Sequence, residues 1–294
     1  MNVLITGITG NFGHALYSRL KGRADISLFA ATRNPERVNF LLEDPDVEVR
    51  RFDFREAETY RSALQGMDTV VLVRPPALSK VKRFIFPFIE ACREGGVRHI
   101  LFLSLQGVER NRYTPHYRIE QYIRRSGIAY TFLRPGFFME NLITIHREEI
   151  QRSSKLVIPA GKGRTNFIAI EDIAAAGARC IGDPAHLNQA YELTGSESFT
   201  YAEVAGMLSA ELGRTITYKS PGIPAFFRHR RRIGDSPAYI AVMVLIYRAA
   251  RNGRADRRTT VLKDVFGIDP MTMASFIRRS RDYFLQKGWH AGQK

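Results

Sequence analysis

A glycine-rich turn lies at the very start of the chain, directly after an apolar segment. Residues 2–6 are an apolar run, as expected for a buried parallel strand. Gly7, Gly10 and Gly13 follow at intervals of three residues, and a helix start is indicated from Asn11 onward. Glycines at such a turn let backbone N–H groups approach a pyrophosphate, and the helix N-terminus favours its negative charge. The turn therefore predicts a dinucleotide-binding βα unit, and its position directly after a strand argues against a chance glycine turn. The residues expected to contact the cofactor here are Gly7, Thr9, Gly10, Asn11, Phe12 and Gly13.

The end of the second predicted strand indicates which dinucleotide is bound. Residues 26–31 are typical of a strand, and the sequence Thr32-Arg33-Asn34-Pro35 follows. In an NAD site, an acidic residue near this point accepts a hydrogen bond from the ribose 2′-hydroxyl. Arg33 cannot accept that bond, whereas its guanidinium suits a 2′-phosphate. The sequence favours NADP(H) over NAD(H); the alternative is that Arg33 is an ordinary surface arginine.

Strands and helices continue to alternate along the first half of the chain. Further strands are predicted at 47–52, 69–73, 98–104 and 129–133, and the helices between them at 55–64, 80–94 and 115–126. This rhythm predicts an α/β fold with a doubly wound, parallel Rossmann sheet. Ligands of such folds bind at the carboxyl edge of the sheet.

The residues that end the third and fourth strands are further candidates for cofactor contacts. Asp53 and Phe54 follow the third strand, where an aspartate commonly faces the adenine edge; the alternative is that Asp53 caps the next helix. Val73 ends the fourth strand, and Arg74 and Pro75 follow it. Two consecutive prolines at 75–76 stop the strand and stiffen the loop.

Composition favours an intracellular enzyme. The 294 residues are 45% hydrophobic, which is enough for a sizeable core. Cys92 and Cys180 lie in apolar contexts that indicate buried, reduced thiols. The first strand leaves no room for a secretory signal, and the longest apolar stretch, 238–247, is shorter than the ~20 residues of a bilayer span. We therefore expect a cytoplasmic protein without a membrane span.

The formal charge of +15 has two interpretations. Arginines cluster at 228–232 and at 248–258, which is compatible with a nucleic-acid or acidic-membrane partner. Arginine is also spread along the whole chain, which resembles a compositional habit. Because no zinc-finger or basic-zipper pattern accompanies the clusters, we expect a small-molecule partner and no nucleic acid. No sequence feature specifies an oligomeric state.

Five segments carry a specific family resemblance over about residues 1–200. They are 6–13 (TGITGNFG), 32–35 (TRNP), 116–120 (HYRIE), 126–141 (SGIAYTFLRPGFFMEN) and 167–174 (FIAIEDIA). In order and spacing, the chain resembles the NmrA-like group of atypical short-chain dehydrogenases. That group is related to NADPH-dependent quinone oxidoreductases and to NADP-sensing regulators.

The resemblance implies two domains. Residues 1–134 and a return at about 165–185, which completes the sheet and its covering helix, would form the NADP-binding domain. Residues 135–164 and 186–294 would form a smaller, mostly helical substrate lid. Within the lid, Thr200 and Glu203 predict a capping box for a helix to Leu212. A strand is predicted at 215–218, and helices at 237–250 and 270–284, each with a proline in its first turn.

The expected catalytic pair of short-chain dehydrogenases is missing. Their Tyr-x-x-x-Lys motif is absent from the helix at 115–126, and a literal match at Tyr283 and Lys287 lies in the wrong segment. Matching Glu120 to the family places His116 in the lysine position. Candidate substitutes are therefore His116, Ser104 at the end of the fifth strand, and Tyr117. The alternatives are that Ser104 satisfies backbone groups, that His116 caps or packs at the start of its helix and that Tyr117 is a packing residue.

The substrate candidates follow the sixth strand. Phe137 and Phe138 suit stacking on a flat acceptor, or else form a hydrophobic seam between the two parts of the fold, and Asn141 resembles a family-typical polar residue. The sequence thus predicts an NADP(H)-dependent oxidoreductase that reduces a small, flat, apolar acceptor such as a quinone. The alternative is a non-catalytic, NADP(H)-sensing regulator. No metal site is expected.

Overall fold

A computed structural model describes residues 1–42, 44 and 46–285 of the chain. Its strands are β1 (Asn2–Thr6), β2 (Ser27–Thr32), β3 (Glu48–Arg51), β4 (Thr69–Leu72), β5 (His99–Leu103), β6 (Ala129–Pro135), β7 (Phe137–Phe138), β8 (Lys155–Val157), β9 (Arg164–Ile168), β10 (Gln189–Leu193), β11 (Ser198–Thr200) and β12 (Thr217–Lys219). Its α-helices are α1 (Asn11–Leu20), α2 (Pro35–Leu42), α3 (Glu58–Leu64), α4 (Val81–Phe84), α5 (Phe86–Glu94), α6 (Pro115–Ser126), α7 (Asn141–Thr144), α8 (Arg147–Ser153), α9 (Ile170–Cys180), α10 (Tyr201–Leu212), α11 (Ile223–Arg232), α12 (Pro237–Arg251), α13 (Val261–Asp264), α14 (Met273–Arg279) and α15 (Arg281–Leu285). Short 3₁₀ helices lie at Val108–Arg110 and Pro184–His186.

The first of two compact units contains the large sheet. It comprises Met1–Pro135, Ile170–Leu193 and Val261–Ile268. Seven parallel strands are ordered β10-β6-β5-β4-β1-β2-β3. All four residues of β4 are buried, because helices cover both faces of the sheet. The prediction of a doubly wound parallel sheet is confirmed, and the strand order reverses beside β1, where such folds bind ligands.

The second compact unit is smaller and mostly helical. It comprises Gly136–Ala169, Thr194–Thr260 and the described chain from Asp269. A three-stranded sheet (β11-β9-β7) and a two-stranded sheet (β12-β8) accompany its helices. The predicted capping box of α10 is present, with Thr200 and Glu203 each satisfying the other's backbone N–H. No described helix has the length and apolar character needed to cross a membrane.

The last strand of the large sheet differs from the prediction. The expected return at 165–185 supplies the covering helix α9, but the strand that completes the sheet is β10, further along the chain. β9 instead pairs with β7 and β11 in the second unit. The unit boundaries therefore differ from the predicted domains: β10 and Val261–Ile268 lie in the first unit, although 186–294 was assigned to the lid.

Two predicted helices are each divided in the structure. The segment 80–94 forms α4 and α5, since Pro87 lacks an N–H and occupies the first turn of a new helix. The segment 270–284 forms α14 and α15, and α14 begins after the Thr272 cap, so Pro270 is not in its first turn. Lys287, of the literal Tyr-x-x-x-Lys match, lies outside the described residues.

Candidate functional site at the carboxyl edge of the sheet

The glycine turn between β1 and α1 leaves backbone donors without a side-chain partner. Gly7 has a φ of +69°, a conformation that favours glycine, and its carbonyl accepts a hydrogen bond from the Gly10 N–H at 2.9 Å. Gly10 is the N-cap of α1 and supplies no side-chain cap. Thr9, Gly10 and Asn11 are exposed. The first N–H groups of α1 thus form a solvent-facing site for an anion.

Gly13 holds the turn against the helix. A Cβ at this position would lie 2.3 Å from the Gly7 carbonyl oxygen, so that only glycine allows this approach. The neighbouring Phe12 ring is 3% exposed and packs near Gly177 of α9. Of the predicted cofactor residues, Phe12 can therefore contribute its backbone N–H, whereas its side chain belongs to the core.

Thr6 ties the turn to the end of β4. Its hydroxyl donates to the Val71 carbonyl and accepts from the Val73 N–H, both at 2.9 Å. The Val73 side chain lies 3.1 Å from the point that a Cβ of Gly7 would occupy. The structure thus brings Gly7 and Val73 together, as expected for the adjacent strands β1 and β4. Sequence analysis did not single out Thr6, although a polar residue directly before the first glycine was a signal.

The candidates after β2 and β3 differ in exposure. Arg33 is exposed at the end of β2. Asp53 is partly exposed, and its carboxylate accepts from the Arg55 N–H at 2.9 Å, so it caps the turn before α3. Phe54 is buried in a cluster with Phe88, at a ring distance of 5.2 Å. Asp53 keeps a second carboxylate oxygen for a ligand, whereas the Phe54 ring is committed to packing.

Arg74 and His116 form a half-buried corner in which the guanidinium carries the positive charge. One guanidinium nitrogen of Arg74 donates to the carbonyls of Pro75, Pro76 and Leu78 at 2.9–3.2 Å. Its Nε is buried and has no hydrogen-bond partner among the described residues. His116, in the first turn of α6, stacks over Phe102 at a centroid distance of 5.9 Å.

His116 is neutral at physiological pH. Burial, and then the charge of Arg74, lower the pKa of His116 to about 3. The imidazole can therefore donate one N–H and accept at the other nitrogen, but it carries no extra proton to give at pH 7. This differs from the unperturbed histidine, with a pKa of ~6.5, that the sequence suggested.

Ser104 belongs to a buried ionic network. Its hydroxyl donates to a carboxylate oxygen of Glu120 at 2.6 Å, and Arg134 binds the same carboxylate through two nitrogens at 3.0 and 2.6 Å. Glu120 is 1% exposed. The network fastens α6 to the ends of β5 and β6. The hydroxyl proton of Ser104 is thus committed to Glu120, which favours a structural role. An acid on the apolar side of α6 was the only sequence signal for this pairing.

Tyr117 follows His116 in the first turn of α6. Its backbone N–H donates to the Thr114 hydroxyl at 3.2 Å, which caps the helix, and its side chain is half-buried. Pro75 is exposed in the loop after β4. Both remain accessible for contacts at the carboxyl edge of the sheet.

The substrate candidates lie in the second unit. Phe137 and Phe138 form the half-buried strand β7, which pairs with Phe167 and Ile168 of β9. Phe137 also packs against the core of this unit. Asn141 begins the single-turn helix α7 and is half-buried.

The part of the chain that the structure describes indicates neither metal nor thiol chemistry. Within the described residues, no three His, Cys, Asp or Glu side chains are grouped to hold a metal ion. Cys92 and Cys180 are free thiols whose burial raises their pKa values, that of Cys180 to about 12. They are therefore inert at neutral pH.

The parallel sheet with a glycine turn after its first strand defines the Rossmann class of α/β folds. The chain belongs to the NmrA-like family, whose model matches residues 1–243. It is 32% identical over 222 residues to an NAD(P)H azoreductase of Xenophilus azovorans, covering 74% of this chain and 76% of the relative. It is 28% identical to the uncharacterized oxidoreductase YesF of Bacillus subtilis, covering 96% of each. Among solved structures, the NADPH complex of an Escherichia coli NADPH-dependent quinone oxidoreductase superposes with a TM-score of 0.85 at 25% identity, covering 94% of this chain and 99% of that one.

Proposed function

We propose that this protein is an NADPH-dependent oxidoreductase that reduces a small, flat, apolar acceptor of the quinone class. The observation that carries the proposal is the uncapped N-terminus of α1 behind the Gly7–Gly13 turn, at the reversal of strand order. The family membership and the reductase relatives support an enzyme over a cofactor-sensing regulator.

The nucleotide half of the proposal assigns the carboxyl edge of the first unit to NADP(H). The backbone N–H groups from Asn11 to Gly13 bind the pyrophosphate, which Gly10 approaches closely because it has no side chain, and Arg33 binds the 2′-phosphate. Asp53 and the segment 73–75 contact the nucleotide between these two phosphate sites. Gly10 and Arg33 are exposed, and Gly7 and Val73 lie in contact, which fits this assignment.

The proposed reduction of a quinone requires little acid catalysis from the protein. NADPH supplies a hydride, and a quinone that accepts it needs one further proton, which water provides. A neutral His116 orients the cofactor or acceptor through its N–H and does not act as a cationic acid. Phe137 and Phe138 present aromatic surface and Asn141 a hydrogen-bonding amide to the acceptor.

The test is steady-state oxidation of NADPH with a panel of water-soluble benzoquinones, naphthoquinones and azo dyes. We expect turnover with at least one quinone, and hydroquinone formed in a one-to-one ratio to the NADPH consumed. Tyr113→Phe is a matched control, because Tyr113 is 95% exposed and has no role in the proposal. Tight NADPH binding without turnover on any acceptor would instead identify a sensor.

A further inference from the structure

The outer face of α12 is apolar and lies open to solvent. Leu245 is 68% exposed, and Val242 and Ile246 are 46% and 44% exposed. Pro237, Ala238 and Ala241 are the other exposed positions, apart from the arginines at the end of the helix. The opposite side, with Ile240, Met243 and Tyr247, is buried in the core of the second unit. A helix that is apolar on all sides is normally covered on all sides, and this one is not.

The preceding helix extends this surface. α11 packs against α12 and exposes Ile223 and Phe227. Ile223 shares a recess with Val244, Arg248 and Arg251 of α12. We refer to these exposed apolar residues (223, 227, 238, 241, 242, 245 and 246) as the α11/α12 face.

Arginines surround the α11/α12 face, and few acidic residues lie in the same part of the sequence. Residues 220–260 contain nine arginines, no lysine, and only Asp235 and Asp256 as acids. Asp235 is already paired with the buried Arg230. Exposed arginines adjoin the face on α11, at the end of α12 and just beyond it: Arg228, Arg231, Arg232, Arg248, Arg251 and Arg254. For Arg228, Arg232, Arg248 and Arg254, no ion pair is formed within the part of the chain that the structure describes.

From this combination we infer that the α11/α12 face binds the surface of an anionic phospholipid bilayer. Its apolar residues enter the boundary between headgroups and acyl chains, and its arginines contact the phosphates while their stems lie along the apolar surface. The helix is parallel to the bilayer, in agreement with the lack of a membrane-spanning helix among the described residues.

Other binding partners would match only one of the two properties of the α11/α12 face, which are its apolar surface and its positive charge. Two copies joined by a symmetric contact through this face would bring their arginines together, and like charges across an interface are unfavourable. Nucleic acid complements the charge but leaves the apolar residues without a partner, since its binding surfaces are polar. An anionic bilayer complements both.

The test is co-sedimentation of the full chain with vesicles of phosphatidylcholine alone or mixed with phosphatidylglycerol. We expect at least tenfold tighter binding to the mixed vesicles, and weaker binding as salt is raised. Leu245→Glu should weaken this binding at least about tenfold. Arg228→Glu with Arg232→Glu should weaken it more than about twentyfold, because one basic residue near an anionic surface contributes about a fivefold change.

Matched controls lie in the first unit. Val265→Glu changes an apolar residue that is 47% exposed, and Arg19→Glu with Arg61→Glu reverses two exposed charges. Both should bind vesicles like the unmodified chain, and all variants should keep their circular dichroism and melting temperature.

Four results would overturn the inference. They are no preference for anionic vesicles, equal losses in the controls, a dimer that Leu245→Glu converts to a monomer, and duplex DNA that displaces the vesicles at equal phosphate concentration.

Discussion

Arg33 is the side chain on which the choice of cofactor depends. It is exposed at the end of β2, and no acid occupies that position to bind a ribose 2′-hydroxyl. We expect NADPH to bind at least tenfold tighter than NADH, and Arg33→Ala to remove most of that preference, because a charge-assisted hydrogen bond is worth ~1.5–3 kcal/mol. The measurement is the dissociation constant of each cofactor by fluorescence titration. Arg19→Ala is the matched control, and equal affinities in the unmodified protein would contradict the prediction.

His116 is expected to act in its neutral form. Since burial and Arg74 lower its pKa to about 3, its charge does not change between pH 5 and 8. His116→Ala should reduce kcat by about tenfold or more with little effect on NADPH binding, as expected for a contact made mainly in the transition state. His116→Gln, which keeps an N–H donor, should recover part of the rate.

The pH profile of kcat separates this role from general acid catalysis. If His116 were the proton donor, kcat would fall above a pKa near ~6.5, and His116→Gln would abolish that fall. A profile with that step would contradict the neutral role. An unchanged rate in His116→Ala would make the residue structural and leave Tyr117 as the remaining candidate with an accessible side chain.

At the scale of elements, the two glycines before and within α1 have different functions. A Cβ at Gly13 would lie 2.3 Å from the Gly7 carbonyl, whereas at Gly10 the nearest atom would be 3.2 Å away on an exposed turn. We therefore expect Gly13→Ala to destabilise the fold by about 1–3 kcal/mol. Gly10→Val should remove NADPH binding from a chain that stays folded.

Urea unfolding and cofactor titration of both variants test this contrast. A folded Gly10→Val that binds NADPH normally would place the nucleotide site elsewhere. A Gly13→Ala as stable as the unmodified chain would show that the turn relaxes without cost.

Local sequence signals predicted the elements whose ends are marked by strong start and stop residues. α6 begins at Pro115 and ends at Ser126 as predicted, because a cap, a proline in the first turn and a following glycine define its ends. β10 was not predicted, since Gln189–Leu193 is short, lacks a regular alternation of polar and apolar residues and lies at an edge of the sheet. The Ser104–Glu120–Arg134 network was not predictable, because it depends on contacts between three separate elements.

At the scale of the whole molecule, the two units carry separate proposals. The first contains the phosphate turn and the His116 corner; the second contains the acceptor candidates and the α11/α12 face. The strand–glycine–helix pattern predicted the phosphate turn and the family resemblance predicted His116, whereas the α11/α12 face becomes visible only once the burial of α12 is known. The apolar stretch 238–247 in α12 is too short for a membrane span, and the structure shows that half of its residues are exposed and lie outside the core.

Two histidines of the first unit are expected to make the folded chain less stable at acid pH. Burial lowers the pKa of His99 to about 4 and that of His116 to about 3, and both residues lie in the first unit. Below pH ~6.5 the unfolded chain binds protons on these histidines and the folded chain does not. Their contribution therefore leaves stability constant above pH ~6.5 and lowers it as the pH falls toward about 4.

The free energy of unfolding in urea, measured at intervals between pH 7.5 and 4.5, tests this expectation. We expect a decline of up to ~1.4 kcal/mol per pH unit for each histidine, and a decline that is shallower by these two contributions in a His99→Gln, His116→Gln double variant. The exposed His14→Gln is the control and should retain the slope of the unmodified chain. An identical slope in the double variant and the unmodified chain would contradict the prediction, because other groups would then take up the protons.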